Sequence, residues 1–223
     1  MLGLFHRTRT TKVAADEAGI DLATPIDEAC YVVLDTELTG LDVKRDSIVS
    51  LGAIMMTGGR IVLGKTLERM VSPETALSSE SVLVHGITPS ECADKPSIGN
   101  VLEELESFCA GCVLVGHFLS LDLAVLNREF KRTFRRTLGN PAVDTWRIHD
   151  WVRRQTDLAA RDFGDDAERD LFTLAKKHHI PVAKAHDALG DAFITAQLFQ
   201  RFLRSLPSLG VRTLKELLKI GRP

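Results

Sequence analysis

The sequence predicts one α/β domain with a mixed β-sheet and helices on both faces. Three observations carry this expectation. Apolar, β-favouring runs at 31–36, 48–56 and 60–71 follow one another closely, and Gly58-Gly59 between the last two is a hairpin signal, so the chain opens as an antiparallel meander. From about residue 97 onward, buried-strand patterns alternate with helical ones, which builds the rest of a sheet with crossover helices. No internal repeat or low-complexity linker divides the chain.

The elements follow in order. Residues 1–28 are mixed and polar and are expected to form a short helix or a loosely tied arm ahead of the main domain, 29–206. Tyr31, Val32, Val33 and Leu34 form an unbroken apolar run, as in a strand covered on both faces. Ser78 to Pro89 mixes a helical turn with a Gly-Ile-Thr-Pro break. Ile98, Val101, Leu102, Leu105 and Phe108 have helical spacing. Val113–His117 reads as another buried strand. Ser120 is placed to cap a helix from Leu121 to about Thr133, whose far end carries Arg128, Lys131, Arg132, Arg135 and Arg136. A short strand is expected at 141–146, then a helix with Ile148, Trp151 and Val152. An exposed charged loop is expected at 161–170, a short helix at 171–178, and a long amphipathic helix at 190–206. Residues 207–223 are basic and read as a helical or partner-binding tail.

Composition narrows the class. With 223 residues and 44% hydrophobic content the chain can bury a core without staples. A net charge of -2 gives no global basic field for nucleic acid, and leaves room for a local groove. Cys30, Cys92, Cys109 and Cys112 lack the second pair and nearby histidines of a zinc site, so buried free thiols are expected. No signal-peptide core and no membrane-spanning run is present, and a cytoplasmic protein is expected.

The chemistry concentrates at the end of the first strand. Asp35 and Glu37 sit two residues apart, so their carboxylates leave the same face of a strand and repel each other. A divalent cation with oxygen ligands relieves that repulsion. Asp122 lies just inside a helix after the strand at 113–117, and His186 precedes Asp191 by five residues at the start of the long helix. Taken singly, each has a plain structural reading: a polar turn, an acid favoured by a helix dipole, a loop histidine. Together they place four carboxylates and an imidazole at strand ends and helix starts, where open sheets bind ligands. Such a set suits two hard cations and a general base.

These motifs, in this order, resemble those of the DEDDh 3′–5′ exonucleases, a ribonuclease H-like group. The stretches that carry the resemblance are Asp35-Thr36-Glu37-Leu38-Thr39-Gly40, Gly116-His117 through Asp122, and His186 through Asp191. Glu80 through His85-Gly86-Ile87 resembles a substrate-holding segment of that family, and the similarity spans roughly residues 29–205. There are departures: Leu38 replaces a Thr, Phe118 an Asn and Leu121 a Phe.

The resemblance implies a ribonuclease H-like sheet and two Mg²⁺ or Mn²⁺ ions held by Asp35, Glu37, Asp122 and Asp191. It implies His186 as the base and Thr36, Leu38, Thr39, Glu80 and His85 along the terminal nucleotide. It also implies a substrate of single-stranded DNA 3′ ends, with a DNA polymerase or another replication or repair protein as partner. An RNA-trimming enzyme of the same fold, or a polymerase-binding module with an idle site, are the rival readings. A His-Asp phosphohydrolase, suggested by His186-Asp187, would leave Asp35 and Glu37 unexplained.

Overall fold

Five strands form the central sheet: β1 (Cys30–Leu38), β2 (Ile48–Thr57), β3 (Arg60–Met70), β4 (Val113–Gly116) and β5 (Ala142–Asp144). In the computed structural model, which describes residues 18–156, 169–182 and 185–223, they are ordered β3-β2-β1-β4-β5. The first three strands are the expected antiparallel meander, turned at Gly58, whose φ of 52° suits a residue without a Cβ. Strands β4 and β5 add on parallel to β1. The helices are α1 (Ser79–His85), α2 (Pro89–Cys92), α3 (Ile98–Cys109), α4 (Ser120–Phe134), α5 (Thr145–Thr156), α6 (Leu171–Lys177), α7 (Ala188–Ser205) and α8 (Leu214–Gly221). None is long and apolar enough to cross a membrane.

Strand β1 is covered on both sides. Tyr31 and Val33 point into a core with Ile194, Leu198, Phe199 and Phe202 of α7. Val32 and Leu34 point into another with Val101, Leu102 and Leu105 of α3 and Val125 and Leu126 of α4. Burying each large apolar side chain contributes about 1.5–3 kcal/mol. A slip of one residue would exchange the two faces, so this packing fixes the register. The same register decides which face receives Asp35 and Glu37. The Tyr31 hydroxyl donates to the Ile26 carbonyl at 2.8 Å, and its ring meets Phe199 edge-on at 4.9 Å.

Several expectations need correction. Cys30 and Cys112 are joined in a disulfide, not free thiols; Cys92 and Cys109 are free and buried. The reason is register: Tyr31 pairs with Val113 across the parallel strands, which sets the preceding residues side by side, with Cα atoms 4.7 Å apart. Ser120 is not the cap of α4; Leu119 holds that position and makes no side-chain capping bond.

Residues 18–29 are not loosely tied. Pro25 bridges Thr213, the Ile26 amide donates to the Arg212 carbonyl at 3.0 Å, and Ile26 and Ala29 are buried. The basic C-terminal segment supplies the other side of this seam. Leu214, Leu217 and Leu218 of α8 enter the α7-side core, while Lys215 and Lys219 stay on its outer side. Thr213 and Glu216 form a capping box at its start. The charged run at 161–170 lies outside the described residues, apart from Arg169 and Asp170.

Candidate metal-binding and active site

At the carboxyl end of β1 the ligand atoms of Glu37, His186 and Asp191 all lie within 4.8 Å of one another. Three separate pieces of backbone deliver them. Glu37 ends β1, His186 sits in the turn before α7, and Asp191 lies in the first turn of α7. The turn is held from within: the His186 amide donates to Asp191 Oδ2 at 2.9 Å, and His186 takes a left-handed φ of 59°. That conformation costs a non-glycine residue of order 1–3 kcal/mol, and sites that must aim a side chain carry such strain. Asp187 caps α7 by accepting from the Gly190 amide at 3.2 Å.

The close seat of α7 on the sheet depends on Gly52. It pairs with Asp35 across β1 and β2, and a Cβ there would lie 2.2 Å from the Leu189 amide nitrogen. Any side chain would drive the start of α7, and with it Asp191, away from β1. Sequence reading passed over Gly52 as an ordinary strand residue; its only signal was a glycine inside an apolar run.

Asp122 arrives from the opposite layer. It sits one turn into α4 and is buried, and Thr36 Oγ1 donates to its Oδ1 at 2.5 Å. Asp35 and Glu37 face α7, whereas the intervening Thr36 faces α4. The strand end thus joins acids from both layers. Asp35 and Asp122 lie outside the tight three-residue group yet interact electrostatically with each other, and Asp35 also with Glu37 and Asp191.

Among the described residues the acids at this spot are raised in pKa by burial and by one another. Burial, then repulsion from Asp122, Glu37, Asp191 and Asp187, pushes the Asp35 carboxyl well above the usual range. Burial, then Asp191, Asp122 and Asp187, pushes Glu37 up to about 7. Burial also raises Asp122 to about 7, against the opposing pull of its bond from Thr36. Asp191 rises to about 6 by burial, opposed by the His186 amide and ring. No lysine or arginine among the described residues figures among these causes. Like charges about 4 Å apart cost on the order of 4 kcal/mol per pair at an effective dielectric near 20, a large share of a domain's roughly 5–15 kcal/mol. Asp191 Oδ1 is also buried with no hydrogen-bond partner among the described residues. Four carboxylates, one with an oxygen orphaned among the described residues, make an oxygen-rich donor set that fits hard divalent cations. Two acids here escaped sequence reading as site residues: Asp187, which adds charge, and Asp144, which is buried at the end of β5 and repels Asp122.

The residues expected along a substrate divide. Glu80 is exposed in the first turn of α1. His85 is buried at the end of α1; burial lowers its pKa, opposed by the Leu38 backbone, with His186 adding to the lowering. Leu38, expected along the terminal nucleotide, packs into the α3/α4 core at 8% exposure. Thr39 is buried too: its hydroxyl donates to Asp46 Oδ1 at 2.9 Å and accepts from the Ser47 amide at 3.0 Å. Thr39 thereby ties down the loop after β1.

The basic end of α4 also has work inside the molecule. Arg128 donates to the Val43 carbonyl at 2.6 Å, to the Asp46 carbonyl, and to Glu129. Arg132 pairs with Glu74 and Glu129, and Arg136 with Glu106. Of the five cations, three are paired among the described residues, and Lys131 and Arg135 are exposed.

The RNase T exonuclease family model matches residues 32–199, from the middle of β1 to α7. The chain belongs to this exonuclease family, a class of phosphodiester-hydrolysing enzymes. It is 34% identical over 206 residues to a DNA polymerase III subunit epsilon-like protein of Rhodobacter capsulatus, covering 89% of this chain and 28% of that protein. It is 31% identical over 193 residues to the PolC-type DNA polymerase III of Thermotoga maritima, covering 86% of this chain and 13% of that one. The chain thus spans less than a third of either relative. E. coli exonuclease I, solved in complex with a dT13 oligonucleotide, shares the fold with a TM-score of 0.70 at 18% identity, over 82% of this chain and 43% of that one. The sheet is therefore the ribonuclease H-like one that the motifs led one to expect.

Proposed function

We propose that this chain is a metal-dependent 3′–5′ exonuclease that releases nucleoside 5′-monophosphates from single-stranded DNA ends. The observation that carries the reading is the convergence of Asp35, Glu37, Asp122 and Asp191, all with raised pKa values, beside His186. Two divalent ions bound there, Mg²⁺ or Mn²⁺, would supply a water of lowered pKa and neutralise charge on the phosphate. Asp35, Glu37, Asp122 and Asp191 would hold them, Asp191 offering an Oδ1 that has no hydrogen-bond partner among the described residues. A ring nitrogen of His186 takes the proton from the attacking water. Asp191 Oδ2, by holding the His186 amide, keeps that ring aimed at the cluster.

The strand is single because an unpaired end can enter such a site without the cost of melting a duplex, and exonuclease I was solved with a single-stranded oligonucleotide. The polymerase III relatives support a role in replication proofreading or repair, beside a polymerase in the cytoplasm. The test is a 5′-labelled single-stranded DNA incubated with Mg²⁺, Mn²⁺ or EDTA. A ladder shortening from the 3′ end, absent in EDTA and with Asp35→Ala, is expected. Metal-dependent cutting that persists in both Asp35→Ala and Asp191→Ala would remove the site from the mechanism. His186→Ala should slow the chemical step far more than it weakens DNA binding. DNA and RNA oligomers of one sequence, run side by side, decide between DNA and RNA as substrate.

A further inference from the structure

Phe118 is held in a place that packing does not favour. It follows β4 in the loop that leads to α4, with a left-handed φ of 53°, and leaves 41% of itself exposed. A bulky aromatic residue is an outlier in that conformation, at a cost of roughly 1–2 kcal/mol. The residue that the motif has here, asparagine, tolerates it far better. A phenylalanine that takes on backbone strain and then stays in water has little to gain from folding alone.

The surroundings fix the ring in position. Asp144 Oδ1 accepts from the Phe118 amide at 3.3 Å and from the Trp146 amide at 2.8 Å, tying the loop to the start of α5. His117 bridges the same two segments: one ring nitrogen meets Thr145 Oγ1 at 2.9 Å, and the other donates to the Arg169 carbonyl at 2.6 Å. The Phe118 ring then lies 6.1 Å from the half-buried Trp146 ring, tilted by 37°, and the Arg169 guanidinium sits 5.7 Å over Trp146. The exposed Phe118 ring, backed by Trp146, therefore stands at the carboxyl ends of β4 and β5. That is the end of the sheet that bears the acidic cluster, and Asp144 acts directly on Asp122.

We propose that Phe118, backed by Trp146 with the Arg169 guanidinium over it, forms a stacking subsite for an unpaired nucleobase upstream of the 3′-terminal nucleotide. This rests on the exonuclease reading and adds to it the path of the strand, which leaves the acids across the ends of β4 and β5. Stacking on aromatic faces accepts any base, so the subsite contributes grip and step position without sequence preference.

The test is an abasic scan with the full chain. A single abasic site is moved through the first few positions from the 3′ end of a short single-stranded DNA, and binding is followed by anisotropy in EDTA beside the cutting assay. In the wild type, one position upstream of the terminal nucleotide should lose affinity by about tenfold when its base is removed. In Phe118→Ala that penalty should vanish, and Phe118→Tyr should restore it. Phe118→Asn relieves the backbone strain, so it should melt no lower than wild type while also losing the penalty; this separates a lost contact from a lost fold. An abasic penalty that is equal at every position in wild type and Phe118→Ala, with cutting intact, overturns the subsite and leaves the exonuclease reading standing. A wild type that neither binds nor cuts any oligonucleotide overturns both.

Discussion

Helix α4 carries two buried carboxylates, Asp122 near its start and Glu129 two turns later, and they live in opposite electrostatic settings. Glu129 is 5% exposed and is clasped by Arg128 and Arg132. Asp122 is 7% exposed and is held by the Thr36 hydroxyl and by backbone amides of Asp122 and Thr36, with no guanidinium beside it among the described residues and with Asp144 and Asp35 as repelling neighbours. Folding explains the first: a buried charge is tolerated when paired. Folding does not explain the second, because an unpaired buried acid among acids lowers stability. The difference teaches how to separate structure from chemistry on a single element. A buried carboxylate beside a guanidinium secures a loop, and one beside other carboxylates is a candidate to hold a cation.

The largest test of this contrast is activity. Asp122→Asn or Asp191→Ala should lower the rate of DNA cutting by on the order of 10³-fold, the loss of several kcal/mol of charge stabilisation. In metal-free buffer at pH 8 the Asp122→Asn protein should melt at a higher temperature than wild type, since the repulsion is gone. A lower melting temperature would mean that Asp122 is structural after all. Glu129→Gln should do the reverse and lose about 1–3 kcal/mol in urea unfolding, by leaving Arg128 with a weaker partner.

Next comes pH. Glu37, Asp122 and Asp191 titrate near 7, 7 and 6 in the folded chain, above the ordinary carboxylate range near 4 of the unfolded one. Between about pH 4 and 7 the folded form therefore binds more protons, so stability falls as pH rises through this window. Without metal, the melting temperature should drop from pH 5 to pH 8. Mg²⁺ should raise it more at pH 8 than at pH 5, where protons compete for the oxygens. A metal-free melting temperature that climbs across this range would show the acids to be compensated by something else.

Gly52→Ala probes geometry rather than charge. Its Cβ would meet the backbone of Leu189, so overpacking should cost about 1–3 kcal/mol and shift Asp191 from Glu37. Thermal unfolding and metal-induced stabilisation should both weaken; an unchanged metal response would place the cation elsewhere. The smallest effect is expected from Arg128→Lys. An ammonium cannot span the Val43 and Asp46 carbonyls and Glu129 together, and about 1 kcal/mol of stability should go.

How far the sequence could be read follows from the range of the interactions. The run Tyr31–Leu34, the Gly58-Gly59 turn, the spacing of Ile98 to Phe108 and the acids at 35, 37, 122 and 191 are local patterns, each set by residues within a few positions. What could not be read depends on distant partners. The Cys30–Cys112 disulfide and the 25–213 seam join segments far apart in the chain. Leu38 and Thr39 lie beside the acids, and only the packing of α4 and the loop at 42–47 decides that they face inward. Arg128 looked like a surface cation because nothing local announces the carbonyls it holds.

By itself, then, the amino-acid sequence determined the strands, the main helices and which acidic side chains are candidates to hold a metal, because periodicity and motif spacing are carried by neighbouring residues. The tertiary structure decided which side chains face one another: that Asp122 reaches Asp35 from the opposite layer, that Asp187 and Asp144 join the acidic end, and that a strained Phe118 stands beside Trp146. Those facts follow from register and from how closely α7 approaches Gly52. They exist only once the sheet is assembled and both of its faces are covered.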